Sequence, residues 1–350
     1  DRSPDVRLTG CFWGIEDSGA KTSAGGAGLT ALQTRDPTIF RAAGWDLFGD
    51  STDGAADLWF MPPGGVHPVL ATFSGQVRLH KLKGAGTSSD PYVIATPQDL
   101  GAIGRYNPSA WYRLAADIDL SGVTWASPPV ATFAGVLDGR GHRIAHLTLR
   151  GSGSERVGFI GRIAPGGWVF DLALDDIAVD VPTGMIGTGG LAGENAGNVL
   201  RCHVNGRIVS GESCRNLGGL IGVNRLGVIE DCYTVVEMRA SGAGSQIGGL
   251  IGYDYMGTIA NCYAAGSVSG GSGSFLGALL GRSSEHATAT SCYFLDSPDG
   301  DATSGAGTPV TAEQMAQQAT FVDWDFRNVW TLCGGNGYPR LRWELIDCTQ

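Results

Sequence analysis

The sequence predicts an all-β chain: a right-handed parallel β-helix closed by irregular capping segments. Three observations carry that prediction. The first is a repeat of 30 residues, in which "GGLIGVNRLGVIEDCYTVVEM" from Gly218 returns as "GGLIGYDYMGTIANCYAAGSV" from Gly248. A fixed period in this range marks a solenoid or array, whereas a propeller blade needs about 40–50 residues. The second is composition. The 56 glycines accompany a hydrophobic fraction of 43%, which fits many short strands joined by tight turns and not a disordered chain. The third is that the repeats are rich in Gly, Val, Ile and Ser, residues that favour strands and turns over helix. Coils stacked about 4.8 Å apart let equivalent side chains pack on copies of themselves. Parallel crossovers take the right-handed sense.

The elements follow in order. Residues 1–72 read as a closing segment, because "CFWGIEDSGAKTSAGGAGLTALQ" from Cys11 parallels "CYFLDSPDGDATSGAGTPVTAEQ" from Cys292. Both stretches go on to a short helix-like run, a Trp-Asp step (Trp45, Trp324), a further tryptophan (Trp59, Trp330) and an X-Pro-X-Leu close at His67 and Tyr338. The closing part of a unit is thus present twice. Residues 73–306 form the β-helix, of seven or eight coils. It opens at "GAGTSSDPYVIATPQDLGAI" from Gly84, where Thr96 is placed as a helix N-cap and Pro97 at the first helical position. A helix there shields the first strand edge, which otherwise invites pairing with another chain. Residues 307–350 form the C-terminal closing segment.

Within the coils one register position is held by Leu172, Cys202, Cys232, Cys262 and Cys292, each 30 residues after the last. In-register rungs sit about 4.8 Å apart, beyond the roughly 3.5–4.5 Å between Cβ atoms that a disulfide takes. Unpaired thiols acting as small hydrophobes are the expectation. Cys333 and Cys348 are the better-placed pair for a bridge. The next position holds His203, Tyr233, Tyr263 and Tyr293. If the cysteines point inward, these rings stack on the outer face as an exposed ladder for sugar or for another molecule. The opposite parity stays open, because a corner interrupts the alternation between Ile229 and Cys232.

A net charge of −10 with no basic run excludes a nucleic-acid surface, and no apolar run is long enough to cross a bilayer. With no initiating Met and no signal peptide, the chain reads as a mature or excised form. Metal motifs are missing, and the turn residues Asn195, Asn224, Asp254 and Ser283 carry too little charge for calcium, so they are read as holding corners. No cofactor is expected. The candidate carboxylates for glycoside chemistry are Asp117 and Asp119, Asp138 with His142, and Asp171 with Asp175 and Asp176. Each has a plainer reading: Asp138-Gly139 as a tight turn, Asp171 as a corner, Asp175 and Asp176 as solvent-facing.

The Gly-Gly-Leu-x-Gly…Gly-x-Ile-x-x-Cys-Tyr pattern resembles the GLUG-motif repeats of bacterial cell-surface proteins over roughly residues 84–344, including "LDGRGHRI" at Leu137. The resemblance implies large exported adhesin-like and protease-like proteins, with tandem use in planctomycete surface proteins, and brings no catalytic residues. The last repeat departs from the pattern, with Ala278 for Gly. The expected function is therefore structural or adhesive: a secreted or bacterial cell-surface module, or a fibre subunit that self-assembles head-to-tail through residues 1–72 and meets surface glycans. The alternative is a carbohydrate-active enzyme, a polysaccharide lyase or glycoside hydrolase, on the same scaffold.

Overall fold

The computed structural model describes residues 82–151, 156–296, 306–332 and 337–344, together with 11–18, 22, 26–43, 45, 59–60 and 68–70 nearer the N-terminus. Cys333 and Cys348, the pair expected to form a disulfide, lie outside the described residues. The chain divides into two compact units, Asp1–Lys81 and Leu82–Gln350.

The larger unit is a parallel β-solenoid of about six turns, fewer than the seven or eight expected. Three parallel sheets run along it. One contains the long strands Val136–Ala145, Trp168–Thr183, His203–Glu212 and Tyr233–Ala240. A six-stranded sheet runs from Val130–Phe133 to Leu280–Ser283, and a five-stranded sheet from Arg156–Val157 to Phe275–Gly277. Register is set by the repeat itself: Ile221 pairs Ile251 and Ile251 pairs Leu280, while Cα partners run His203, Tyr233, Tyr263, Tyr293.

Corners decide which way each side chain faces. Asp171, Arg201, Asp231, Asn261 and Ser291 all take positive φ, between 48° and 53°. That left-handed conformation is uncommon outside Gly and is most readily tolerated by Asn and Asp. Arg201 is held there by a bidentate pair to Asp171, Nε to Oδ1 at 2.6 Å and Nη2 to Oδ2 at 3.0 Å. Each corner reverses parity between an interior aliphatic (Val169, Val199, Ile229, Ile259, all fully buried) and the interior position three residues on. After Cys232 strict alternation resumes: Thr234, Val236 and Met238 are buried, and Val235, Glu237 and Arg239 are exposed. Tyr233 therefore belongs to the outer face. At the Gly-Gly step, a Cβ on Gly218 or Gly248 would collide with the carbonyl of Ile221 or Ile251, so no larger residue fits this turn.

Asn195, Asn224 and Asp254 are fully buried and stack on one another. Asn195 Nδ2 donates to Asn224 Oδ1 at 2.9 Å, and Asn224 Nδ2 to Asp254 Oδ1 at 2.8 Å. Asn195 also accepts from the Gly197 amide at 3.0 Å. They hold a corner, as expected, but from within the stack. Burial pushes the Asp254 carboxyl up to about 6.

The first coil is covered by the helix Pro97–Tyr106, which buries Leu100 and Ile103. Thr96 caps it in a reciprocal box: its hydroxyl accepts from the Asp99 amide at 3.2 Å, and Asp99 accepts from the Thr96 amide at 2.9 Å.

Candidate functional site

The outer aromatic ladder is not exposed. His203 is 3% exposed, Tyr233 and Tyr263 0%, and Tyr293 5%. The rings do face away from the coil interior and stack, His203 on Tyr233 at 4.7 Å and Tyr233 on Tyr263 at 4.9 Å with planes 1° apart. What covers them is the C-terminal closing segment. Trp330 lies 6.2 Å from Tyr233 and 6.1 Å from Tyr263, Trp324 lies 6.2 Å from Tyr263, and Trp343 stacks 5.8 Å from His203. Met315, Phe321 and Leu341 complete this second core. A ladder open to ligands is thus corrected to the seat of an internal roof.

The polar contacts of the roof are specific. Tyr233 donates its hydroxyl to Glu344 at 2.9 Å and accepts from Arg340 Nη1 at 2.9 Å. Tyr263 donates to the Pro339 carbonyl at 2.8 Å. Trp324 Nε1 donates to the Ser291 carbonyl at 2.8 Å, and Trp330 Nε1 to Asp231 Oδ1 at 3.1 Å. Burial pushes the Asp231 carboxyl up to about 6, against the pull of that indole donor. Desolvation likewise drives both tyrosine hydroxyls well above their usual range, so they stay protonated donors.

Beneath the roof, Cys202, Cys232, Cys262 and Cys292 are buried thiols without disulfides, one rung above another. The amide of Cys202 donates to Cys232 Sγ, and that of Cys232 to Cys262 Sγ, both at 3.4 Å. Burial pushes the Cys202 and Cys262 thiols up, which removes thiolate reactivity. Leu172 fills the same register position, fully buried.

The candidate catalytic carboxylates each have a structural partner. Asp117 binds His142 at 3.1 Å and Arg143 at 3.0 Å. Asp119 binds His146 Nδ1 and the Ser121 hydroxyl, which hold its carboxyl near 2. Asp138 caps the Arg140 amide at 2.9 Å, as a tight turn requires, and does not meet His142. Asp171 pairs Arg201. Asp175 was expected in solvent; instead it is half-buried, bonded to His203 Nε2 at 2.9 Å and Asn205 Nδ2 at 2.7 Å. A β-bulge between Leu174 and Ile177 turns it toward the roof and leaves Asp176 exposed. Among the described residues, no group of three or more His, Cys, Asp or Glu is arranged to hold a metal ion, and no helix is long and apolar enough to cross a membrane.

The smaller unit repeats the roof. The strand Phe12–Gly14 pairs Ala27–Leu29 in parallel, as Tyr293–Leu295 pairs Thr308–Val310. Thr30 and Gln33 form the same capping box as Thr311 and Gln314, at 2.9 and 3.3 Å in both. Phe12 meets Phe40 edge-on at 5.2 Å and 77°, and Tyr293 meets Phe321 at 5.1 Å and 75°. Trp45 and Trp59 lie 4.2 Å apart, as do Trp324 and Trp330. Each copy ends in an antiparallel clasp, Trp59 opposite Leu70 and Trp330 opposite Leu341.

With this geometry established, residues 243–269 match the family model of the GLUG motif. The chain carries GLUG-motif repeats. Halomucin of Haloquadratum walsbyi (strain DSM 16790 / HBSQ001) is 32% identical over 159 residues, 41% of this chain and 2% of its own length. The chain therefore spans a very small part of that relative. Among solved structures, a Bacteroides ovatus protein provisionally named an immunoglobulin A1 protease aligns over 74% of this chain and 94% of its own, at 20% identity and a TM-score of 0.52. That likeness is one of fold. The parallel coils supply the scaffold, and the C-terminal closing segment roofs their outer ring ladder.

Sequence reasoning placed the rings on the outer face and missed their cover. The signal for the cover was present: Trp324, Trp330 and Trp343 fall within 20 residues that have no core of their own.

Proposed function

We propose that this protein is a non-enzymatic structural module of a cell-surface or secreted extracellular assembly. The observation that carries the reading is the duplicated closing segment, since a unit end made twice in one chain is what end-to-end arraying of solenoid units needs. The GLUG motif and the similarity to halomucin support the surface setting. The carboxylates named above, spent on ion pairs, turns and corners, support a non-enzymatic role.

The adhesive part of the reading moves from the roofed ladder to another one. Trp111, Val136 and Trp168 are consecutive outer rungs, and the two tryptophans are 39% and 41% exposed. Two rungs separate them by about 10 Å. A pair of exposed indoles at that spacing fits the apolar faces of a surface glycan. On a glycan array, Trp111→Ala and Trp168→Ala should each abolish the binding seen with the parent chain; binding that survives both removes the adhesive role. Antibody labelling of intact source cells, beside a turnover screen on polysaccharides, tests the module itself. Surface labelling without turnover is the expected result. Labelling only after lysis, or turnover abolished by Asp175→Asn, would overturn it.

A further inference from the structure

We propose that the N-terminal unit is a roof built for a second coil stack, one with the same parallel strands and an outer ring ladder not already covered. This deepens the structural-module reading and rests on it. The two copies agree in strand register, capping box, ring geometry and clasp, and they differ in what they cover. In the C-terminal copy the edge strand Tyr293–Leu295 also pairs the coil before it, the Tyr293 amide donating to the Cys262 carbonyl at 2.9 Å. In the N-terminal copy, among the described residues, Phe12–Gly14 pairs Ala27–Leu29 alone. Four equivalent positions change exposure accordingly. Cys292, Phe294, Trp324 and Trp330 are buried, whereas Cys11 is exposed and Trp13, Trp45 and Trp59 are half-exposed. The exposed set is the face on which the C-terminal roof receives its coils.

The chain's own ladder is not the occupant. Tyr233 and Tyr263 are fully covered by Trp330, Arg340 and Glu344, so a second copy in this closed form offers no seat. The occupant is an uncovered coil stack whose last strand continues in register into Phe12.

The test grafts a coil stack in front of the N-terminal roof. Because Cys11 corresponds to Cys292, residues 82–291 are joined directly ahead of Cys11 in the otherwise full chain. A control carries the complete 82–350 unit ahead of Cys11, so that the added coils bring their own roof. Site-resolved alkylation of Cys11 is the readout. The expected result is labelling slowed about a hundredfold or more in the graft and unchanged in the control. Three outcomes would overturn the proposal: Cys11 labelled at the parent rate in a folded graft, a graft that fails to fold while the control folds, or Cys11 of the parent chain becoming protected as its concentration rises. The last would make a second copy the occupant. None of these outcomes bears on surface location or turnover, which test the module reading separately.

Discussion

Asp254→Asn should stabilise the solenoid at neutral pH, although it removes a native charge. The residue is fully buried, third in the stack that begins with Asn195 and Asn224, and its carboxyl is raised from 3.8 to about 6. A raised folded-state value means the fold prefers the protonated form. The stability that preference contributes is complete below about pH 4 and is lost as pH rises through 6. A shift of about 2 units at about 1.36 kcal/mol each places the penalty near 3 kcal/mol above pH 7. Asparagine keeps the shape and the acceptor for Asn224 Nδ2, and carries no charge. By the pattern of Asn224, whose amide donates to the Gly227 carbonyl at 3.1 Å, its new amide has the Gly257 carbonyl to bond. For a unit of this size 3 kcal/mol corresponds to a melting shift of about 5 °C. Urea and thermal unfolding of the parent and variant at pH 4 and pH 7.5 would measure it. A gain at pH 7.5 that vanishes at pH 4 is expected. Loss of stability at pH 7.5, or a gain equal at both pH values, would refute the argument that the buried carboxylate is strained by its charge.

Three further outcomes follow from the same structure. Asp231→Asn should flatten the remaining fall in stability between about pH 4 and 6, since its carboxyl is raised in the same sense and the Trp330 donor retains an oxygen to meet; pH-dependent unfolding checks this. Trp330→Ala should cost about 3–5 kcal/mol and speed hydrogen exchange at Tyr233 and Tyr263, because the indole is fully buried on both rings. Cys202, Cys232 and Cys262 should resist alkylation in the native protein and react once it is denatured, because all three thiols are buried; rapid native labelling of any of them would contradict a buried thiol ladder.

How much of this could be read beforehand depended on range. The 30-residue period, the Thr96 cap and the corner at Asp171 are local or strictly periodic, and each was legible from residue type and spacing. The direction of Tyr233 was legible too, once a corner was placed between Ile229 and Cys232. Its burial was not. Trp330 and Glu344 reach it from about a hundred residues away, and alternation along a strand says which face a ring is on, never what lies over that face. Asp175 failed for a related reason. A bulge turned it toward His203, and bulges leave little trace in a single sequence. The stack of Asn195, Asn224 and Asp254 was half legible: the recurrence showed in the spacing, while full burial needed the neighbouring coils.

The roof also has a mechanical meaning. Parallel coils joined rung to rung give way one at a time when a chain is drawn out from its end, because the load falls only on the outermost ladder. Here the terminal strand cannot peel alone. Trp324 and Trp330 span the rings of successive turns, and the Trp330–Leu341 clasp fastens the segment that carries them. Under tension the last turns therefore yield as one block, after the clasp opens, and the solenoid's resistance to unspooling is set by its latch and not by any single coil.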